Sequence, residues 1–135
     1  MKKALSLLLV AILCVGLFAG CAGGEKGRVY WLNFKPESDE VLQEVAKMYT
    51  EETGVEVKVL TAASGTYNQT LLAEMDKAEA PTLFVIGNQN AVKEWKDYAL
   101  NLKDSAIAKE LNTDAYNMYD ADGNLVSIGY CYECY

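Results

Sequence analysis

Between residues 28 and 60 the period of apolar positions changes twice, and each change predicts an element. Residues 29–34, VYWLNF, form an apolar, aromatic run of strand length, as expected of a strand covered on both faces. Helical spacing then takes over at Val41, Leu42, Val45, Ala46, Met48 and Tyr49, which lays an apolar stripe along one side. Gly54 supplies a left-handed residue to end that helix, after which Val55, Val57 and Val59 alternate with Glu56 and Lys58. Strand, crossover helix and strand of this size make a βαβ unit with parallel strands. Ligands of open sheets built from such units bind beyond the carboxyl ends of the strands. That rule brings Asn33, Lys35 and Glu37 to the mouth of a cleft, with Ser38 as an N-cap and Asp39 and Glu40 complementing the helix dipole.

The same alternation continues downstream. The loop 61–67, TAASGTY, trails the second strand, so Ser64, Gly65 and Tyr67 are expected beside the same cleft, the hydroxyls for hydrogen bonding and the ring for stacking. Leu71, Leu72, Met75 and Ala78 predict a second crossover helix over 68–79, which Pro81 cannot continue. Residues 82–86, TLFVI, read as a central parallel strand. Asn88 and Gln89 follow at its carboxyl end, where amide side chains both donate to and accept from hydroxyl groups, and Asn90 reads as a helix cap. A third helix is predicted over 91–98, with Trp95 in the core, and a short helix over 105–111. Asp122-Gly123 predicts a tight turn into a strand over 125–130.

The first twenty residues do not belong to that pattern. Lys2 and Lys3 precede a nearly unbroken apolar run over 4–18, and Ala19-Gly20 stand before Cys21, the layout of an export signal. LFAGC at 17–21 resembles a bacterial lipobox, in which the cysteine is lipidated and becomes the new N-terminus; a two-chain anchor of that kind holds stably to a membrane. Residues 21–27 are small, polar and glycine-rich, a flexible tether, leaving 28–135 as the folded part.

Charge and composition mainly exclude. The chain carries 19 acids against 12 bases for a formal net charge of −7, and the two leader lysines make its body more acidic still. Phosphate-backbone binding needs clustered Lys and Arg, so a nucleic-acid partner is not expected. There is no histidine, which removes His-based triads, the usual zinc ligands and the commonest general base near neutral pH. Neither common nucleotide cradle is present. The run DADGN at 120–124 suggests calcium, but counting from Asp120 the sixth and twelfth positions hold Leu125 and Cys131, where an EF-hand needs Gly and Glu. Cys131 and Cys134 form a CxxC pair without further zinc ligands or a helix start to activate a thiol; an exported thiol-disulfide oxidoreductase is the alternative reading it supports. A purely structural lipoprotein is another. No cofactor is expected.

Leader and cysteine, VYWLNF, KMYTEETG before VEVKVL, APTLFVIG and DGNLVSIGY, in that order and spacing, resemble an extracellular solute-binding lipoprotein of an ABC importer, of the carbohydrate-binding, maltose-binding-protein-like type. The resemblance implies an α/β, periplasmic-binding-protein-like N-terminal lobe, a mostly parallel sheet flanked by helices. It implies no enzymatic chemistry, a sugar or oligosaccharide as ligand, ABC permease subunits as partners, and lipid anchoring on the extracytoplasmic face of the cell membrane. Members of that family run to several hundred residues in two lobes, so a chain of 135 is expected to be a fragment truncated before the second lobe.

Overall fold

A computed structural model describes residues 27–130 of the chain. The leader, Cys21, Cys131 and Cys134 lie outside the described residues. Strand β1 (Arg28–Asn33) and strand β2 (Glu56–Thr61) pair in parallel in unbroken register, from Arg28 opposite Glu56 to Asn33 opposite Thr61. Helix α1 (Asp39–Thr53) connects them. Gly54 ends it in the left-handed region (φ 71°), its N–H donating to the Thr50 carbonyl at 2.8 Å, a conformation that residues with a Cβ adopt at a cost. Thr50 Oγ1 donates back to the Ala46 carbonyl and accepts from Val57 N at 3.1 Å, which fastens the helix to the start of β2.

Ser38 does not cap α1. Residues Pro36–Ser38 form a 3-10 turn whose last N–H bonds Lys35 O, and the Ser38 side chain makes no cap bond. The stripe on α1 is also narrower in packing than in sequence. Ala46 is buried and Leu42 half-buried, but Val41, Val45, Met48 and Tyr49 are exposed, because a sheet this narrow covers only one ridge of the helix.

Residues 82–86 differ from expectation in kind. They run beside β1 in the parallel sense, with Leu83 bridging Trp31, but form no strand beyond that bridge. Backbone bonds join Tyr30 and Leu32 to Thr82 and Leu83, but side-chain hydroxyls have taken two further positions. Tyr30 N donates to Thr82 Oγ1 at 2.9 Å, and Val85 N to Tyr67 Oη at 2.8 Å, in place of backbone carbonyls. β1 still lies between β2 and this segment, so three successive segments point the same way.

Helix α2 (Tyr67–Met75) ends short of the predicted 79, well before Pro81. Its buried face presents Leu71 and, against the apolar pattern, Glu74. The Glu74 carboxylate is satisfied: Tyr30 Oη donates to Oε2 at 2.8 Å and Lys77 Nζ to Oε1 at 2.6 Å. Lys58 Nζ lies 4.1 Å from the centre of the Tyr30 ring, a cation–π contact on the same cluster. Burial, then the Glu74 bond, hold the Tyr30 hydroxyl well above the ordinary phenol range, while Lys77 first and Tyr30 second lower the Glu74 carboxyl. A carboxyl lowered by folding contributes stability above its unfolded pKa and loses it as pH falls through the folded value. Acid melts of the Glu74→Gln variant should therefore show a weaker pH dependence below about pH 4.5; parallel wild-type and variant curves would contradict it.

Helix α3 (Gln89–Trp95) starts two residues earlier than predicted, because the cap is Asn88 and not Asn90. Asn88 Oδ1 accepts from Asn90 N and Ala91 N, each at 3.0 Å. A 3-10 turn (Lys96–Tyr98) follows, then the short α4 (Ala106–Lys109), capped by Ser105 Oγ. Trp95 is in the core with Leu32, Leu71, Ile86, Val92 and Val126. The predicted turn is formed at Gly123 (φ 80°): Asp120 Oδ1 accepts from Asp122 N and Asn124 N, and Asn124 Nδ2 donates to Oδ2. It joins β3 (Met118–Tyr119) to antiparallel β4 (Leu125–Ser127), which stops three residues before the expected 130.

Candidate functional site

The edge where β1 and β2 finish is built from side chains that bond to the protein itself. Asn33 is 2% exposed despite its amide, and each polar atom is used. Its Nδ2 donates to Lys35 O at 2.8 Å and to Thr61 Oγ1 at 3.1 Å, and its Oδ1 accepts from Lys35 N at 3.0 Å. Thr61 Oγ1 in turn donates to Asp39 Oδ1. The last residue of β1, the last of β2 and the first of α1 are thus one chain of hydrogen bonds. Gln43 extends it, with Nε2 donating to Val59 O at 3.2 Å.

Tyr67 closes the other side. Its hydroxyl accepts from Val85 N and donates to Leu32 O at 3.4 Å, bridging the ends of two parallel segments. Burial raises its pKa, against the opposing pull of the Val85 N–H. The ring meets Phe34 edge-on at 5.9 Å, so Tyr67 packs within the protein. Asn88 is the α3 cap, and Gln89 Nε2 donates to Tyr119 O at 3.2 Å. Of the other expected residues, Glu37, Ser64 and Gly65 are exposed and Lys35 is partly buried. Lys35 Nζ lies 3.7 Å from Glu37 Oε1 and 4.9 Å from the Phe34 ring centre, and Ser64 and Gly65 are exposed on a turn where Gly65 takes φ 76°. Asn33, Tyr67 and Asn88 are therefore spent on shaping the edge, while Lys35, Glu37, Ser64, Gly65 and Gln89 stand along it.

Beside that edge is a hollow of about 460 Å³, which none of the eight residues lines. Their neighbours in the chain do: Phe34 after β1, and Val85, Ile86 and Gly87 before α3. The remaining wall comes from residues 115–118 and 127–130, a contribution that no strand-end argument reaches. Ser127 Oγ donates to Ile86 O at 3.2 Å and joins the two halves. No lining residue is charged; aromatic rings at Phe34, Tyr116 and Tyr130 alternate with the polar groups of Asn117 and Ser127. A concave apolar wall with a few placed hydrogen-bonding groups suits a neutral organic solute. No local pattern marked these residues, since residues 115–118 reach the hollow through a close approach to Gly129. A second hollow of about 400 Å³, lined by Trp31, Leu83, Phe84, Leu102, Ile107 and Tyr130 among others, is almost wholly apolar and offers little to orient a ligand. Among the described residues no group of His, Cys, Asp and Glu is arranged to hold a metal ion, and no helix is long and apolar enough to cross a membrane.

Comparison with known proteins agrees with this architecture. A family model described as bacterial extracellular solute-binding protein matches residues 44–135. The fold is similar to that of the apo-form of RafE from Streptococcus pneumoniae, with a TM-score of 0.57 at 15% identity, over 76% of this chain and 27% of that one. The chain thus spans about a quarter of the length of the solved structure it matches. Comparison with curated proteins gives no match.

Proposed function

We propose that this chain, which belongs to the bacterial extracellular solute-binding protein family, supplies one wall of a solute cleft for an ABC importer and that its solute is a neutral sugar or oligosaccharide. The observation that carries the reading is the uncharged, ring-and-amide hollow beside the carboxyl ends of three segments running the same way. Sugars present hydroxyls at their edges and C–H groups on their faces, which is what amides and aromatic rings take. An ionic solute would lose its hydration there without a charged partner. The mechanism is capture and delivery to a permease, with no covalent step.

Residues 1–20 act as the export signal, 21–27 as the tether and 28–135 as part of the first lobe, with lipid on Cys21 holding the protein to the extracytoplasmic face of the membrane. Asn33, Tyr67 and Asn88 fix the shape of the edge; Lys35, Glu37, Ser64, Gly65 and Gln89 stand where an extended solute leaves the hollow. One wall buries a solute on one side only, so affinity is on the order of millimolar. The test is saturation-transfer NMR on the full chain in phosphocholine micelles, against neutral di- and trisaccharides with glutamate, a dipeptide and sulfate as charged controls. Transfer to the saccharides and not to the controls is expected; silence toward the saccharides, or a preference for a charged solute, would overturn the assignment. The Cys21→Ser variant should move from the detergent phase to the aqueous phase on phase partition once its leader is removed, and retention in the detergent phase would refute the anchor.

A further inference from the structure

We infer that Tyr116 is the stacking platform of the hollow, receiving the C–H face of a neutral saccharide ring, and that Gly129 is the residue that positions it. The inference rests on the solute-cleft reading above and adds to it the group that takes the ring. Tyr116 keeps half of its surface exposed while lining the hollow, in a loop braced by the Asn117 N–H bond to Asp114 O at 3.0 Å. A half-exposed tyrosine in a braced loop offers apolar surface to the hollow at little cost in conformational entropy. Asn117 is next in the chain and also lines the hollow, so a donor and an acceptor stand beside the ring for the hydroxyl edge of the same sugar.

Gly129 explains the placement. A Cβ built there would lie 2.7 Å from Tyr116 Cβ and 3.2 Å from Tyr116 O, the second contact being to backbone that cannot swing aside. The loop therefore rests directly on the main chain leaving β4, and any side chain at 129 would lift it, together with the ring it carries. Glycine is required here for close approach and not for an unusual backbone angle. The expected consequence is that positions 116 and 129 act as one unit in binding.

Saturation-transfer titration of the full chain with the neutral trisaccharide that gives the largest signal tests this. Tyr116→Ala should raise Kd roughly five- to tenfold, the scale of one aromatic contact. Tyr116→Phe, which keeps the ring, should stay within about twofold. Gly129→Ala should raise Kd in the wild-type background and add nothing in the Tyr116→Ala background, a coupling that a general loss of stability would not produce. Tyr98→Ala, an exposed ring beside Trp95 and outside the hollow, serves as the control. Wild-type binding that Tyr116→Ala leaves unchanged would overturn the platform and leave the cleft reading standing. Additive losses at 116 and 129 would overturn the positioning role. Wild-type silence toward every saccharide would overturn both readings together.

Discussion

Leu32→Ala is expected to cost about 3–4 kcal/mol of folding free energy. Leu32 is fully buried one residue before the end of β1, and the core is small: Leu71, Ile86, Val92, Trp95 and Val126 are its companions. Removing its branched end takes out the transfer term and leaves a cavity that parallel neighbours on both sides of β1 keep from collapsing. Those neighbours are fixed by backbone bonds, including Leu32 N to Leu83 O at 2.9 Å, so the backbone cannot close on the gap. In a domain of this size the melting temperature should fall by roughly 12–32 °C, read by circular dichroism. Leu100→Ala, at a position that is 78% exposed, should change stability by no more than about 0.5 kcal/mol. Equal melting temperatures for Leu32→Ala and wild type would place the core elsewhere.

The parts of the fold that could be read from sequence are those fixed by period and by a single special backbone position. The β1–α1–β2 unit announced itself through two changes of period, and Gly54 marked the end of its helix because no other residue takes the left-handed region as cheaply. Trp95 followed from helical spacing, and the Asp120–Asn124 turn from its own short-range bonds. What stayed hidden depended on partners remote in sequence. The segment 82–86 has the composition of a strand, yet Thr82 and Tyr67 offer hydroxyls where carbonyls were expected, from positions that periodicity does not connect. The burial of Glu74 had no mark in the helical pattern, because its two partners come from β1 and from Lys77, just past the end of α2. The cap at Asn88 in place of Asn90 is a choice between two identical side chains two residues apart, settled by which one keeps an extended backbone (φ −164°, ψ 170°).

The site shows the same division. Topology correctly brought the ends of β1, β2 and the third segment to one edge, and that much follows from parallel pairing alone. Which side chains face a solute does not follow from it, because a strand end has competing uses for polar groups. Asn88 was expected to meet a ligand for the property that makes it a good fastener, an amide that both donates and accepts. Asn33 was placed there by its strand end and Tyr67 for stacking, and both fasten through groups that donate and accept. The contribution from 115–118 was out of reach, since it depends on a close approach at Gly129 that no local pattern encodes.

That division makes Asn33 the position where fold and function should fail together. Asn33→Leu keeps the volume and removes the amide, taking away the acceptor of Lys35 N–H and one of the two donors to Lys35 O, which keeps Ser38 N–H, and the amide donor to Thr61 Oγ1. Each stranded buried group costs about 1–3 kcal/mol, so a total of roughly 2–5 kcal/mol is expected, offset in part by water reaching the exposed side of Lys35. The functional loss should exceed what that destabilisation alone produces. Lys35 follows Phe34, whose ring lines the hollow, and the turn that holds both is the one Asn33 ties down. Saccharide saturation transfer measured at about 10 °C, where the variant is still folded by circular dichroism, should therefore drop below one-third of the wild-type signal. Thr61→Val supplies the comparison: it breaks the next bond in the same chain of hydrogen bonds while leaving Asn33 and the Lys35 turn in place, so it should lose stability and keep most of its binding. If both variants lose binding in proportion to stability, the edge acts on the solute only through the folded fraction; if Asn33→Leu alone loses it, the buried amide is what shapes the wall.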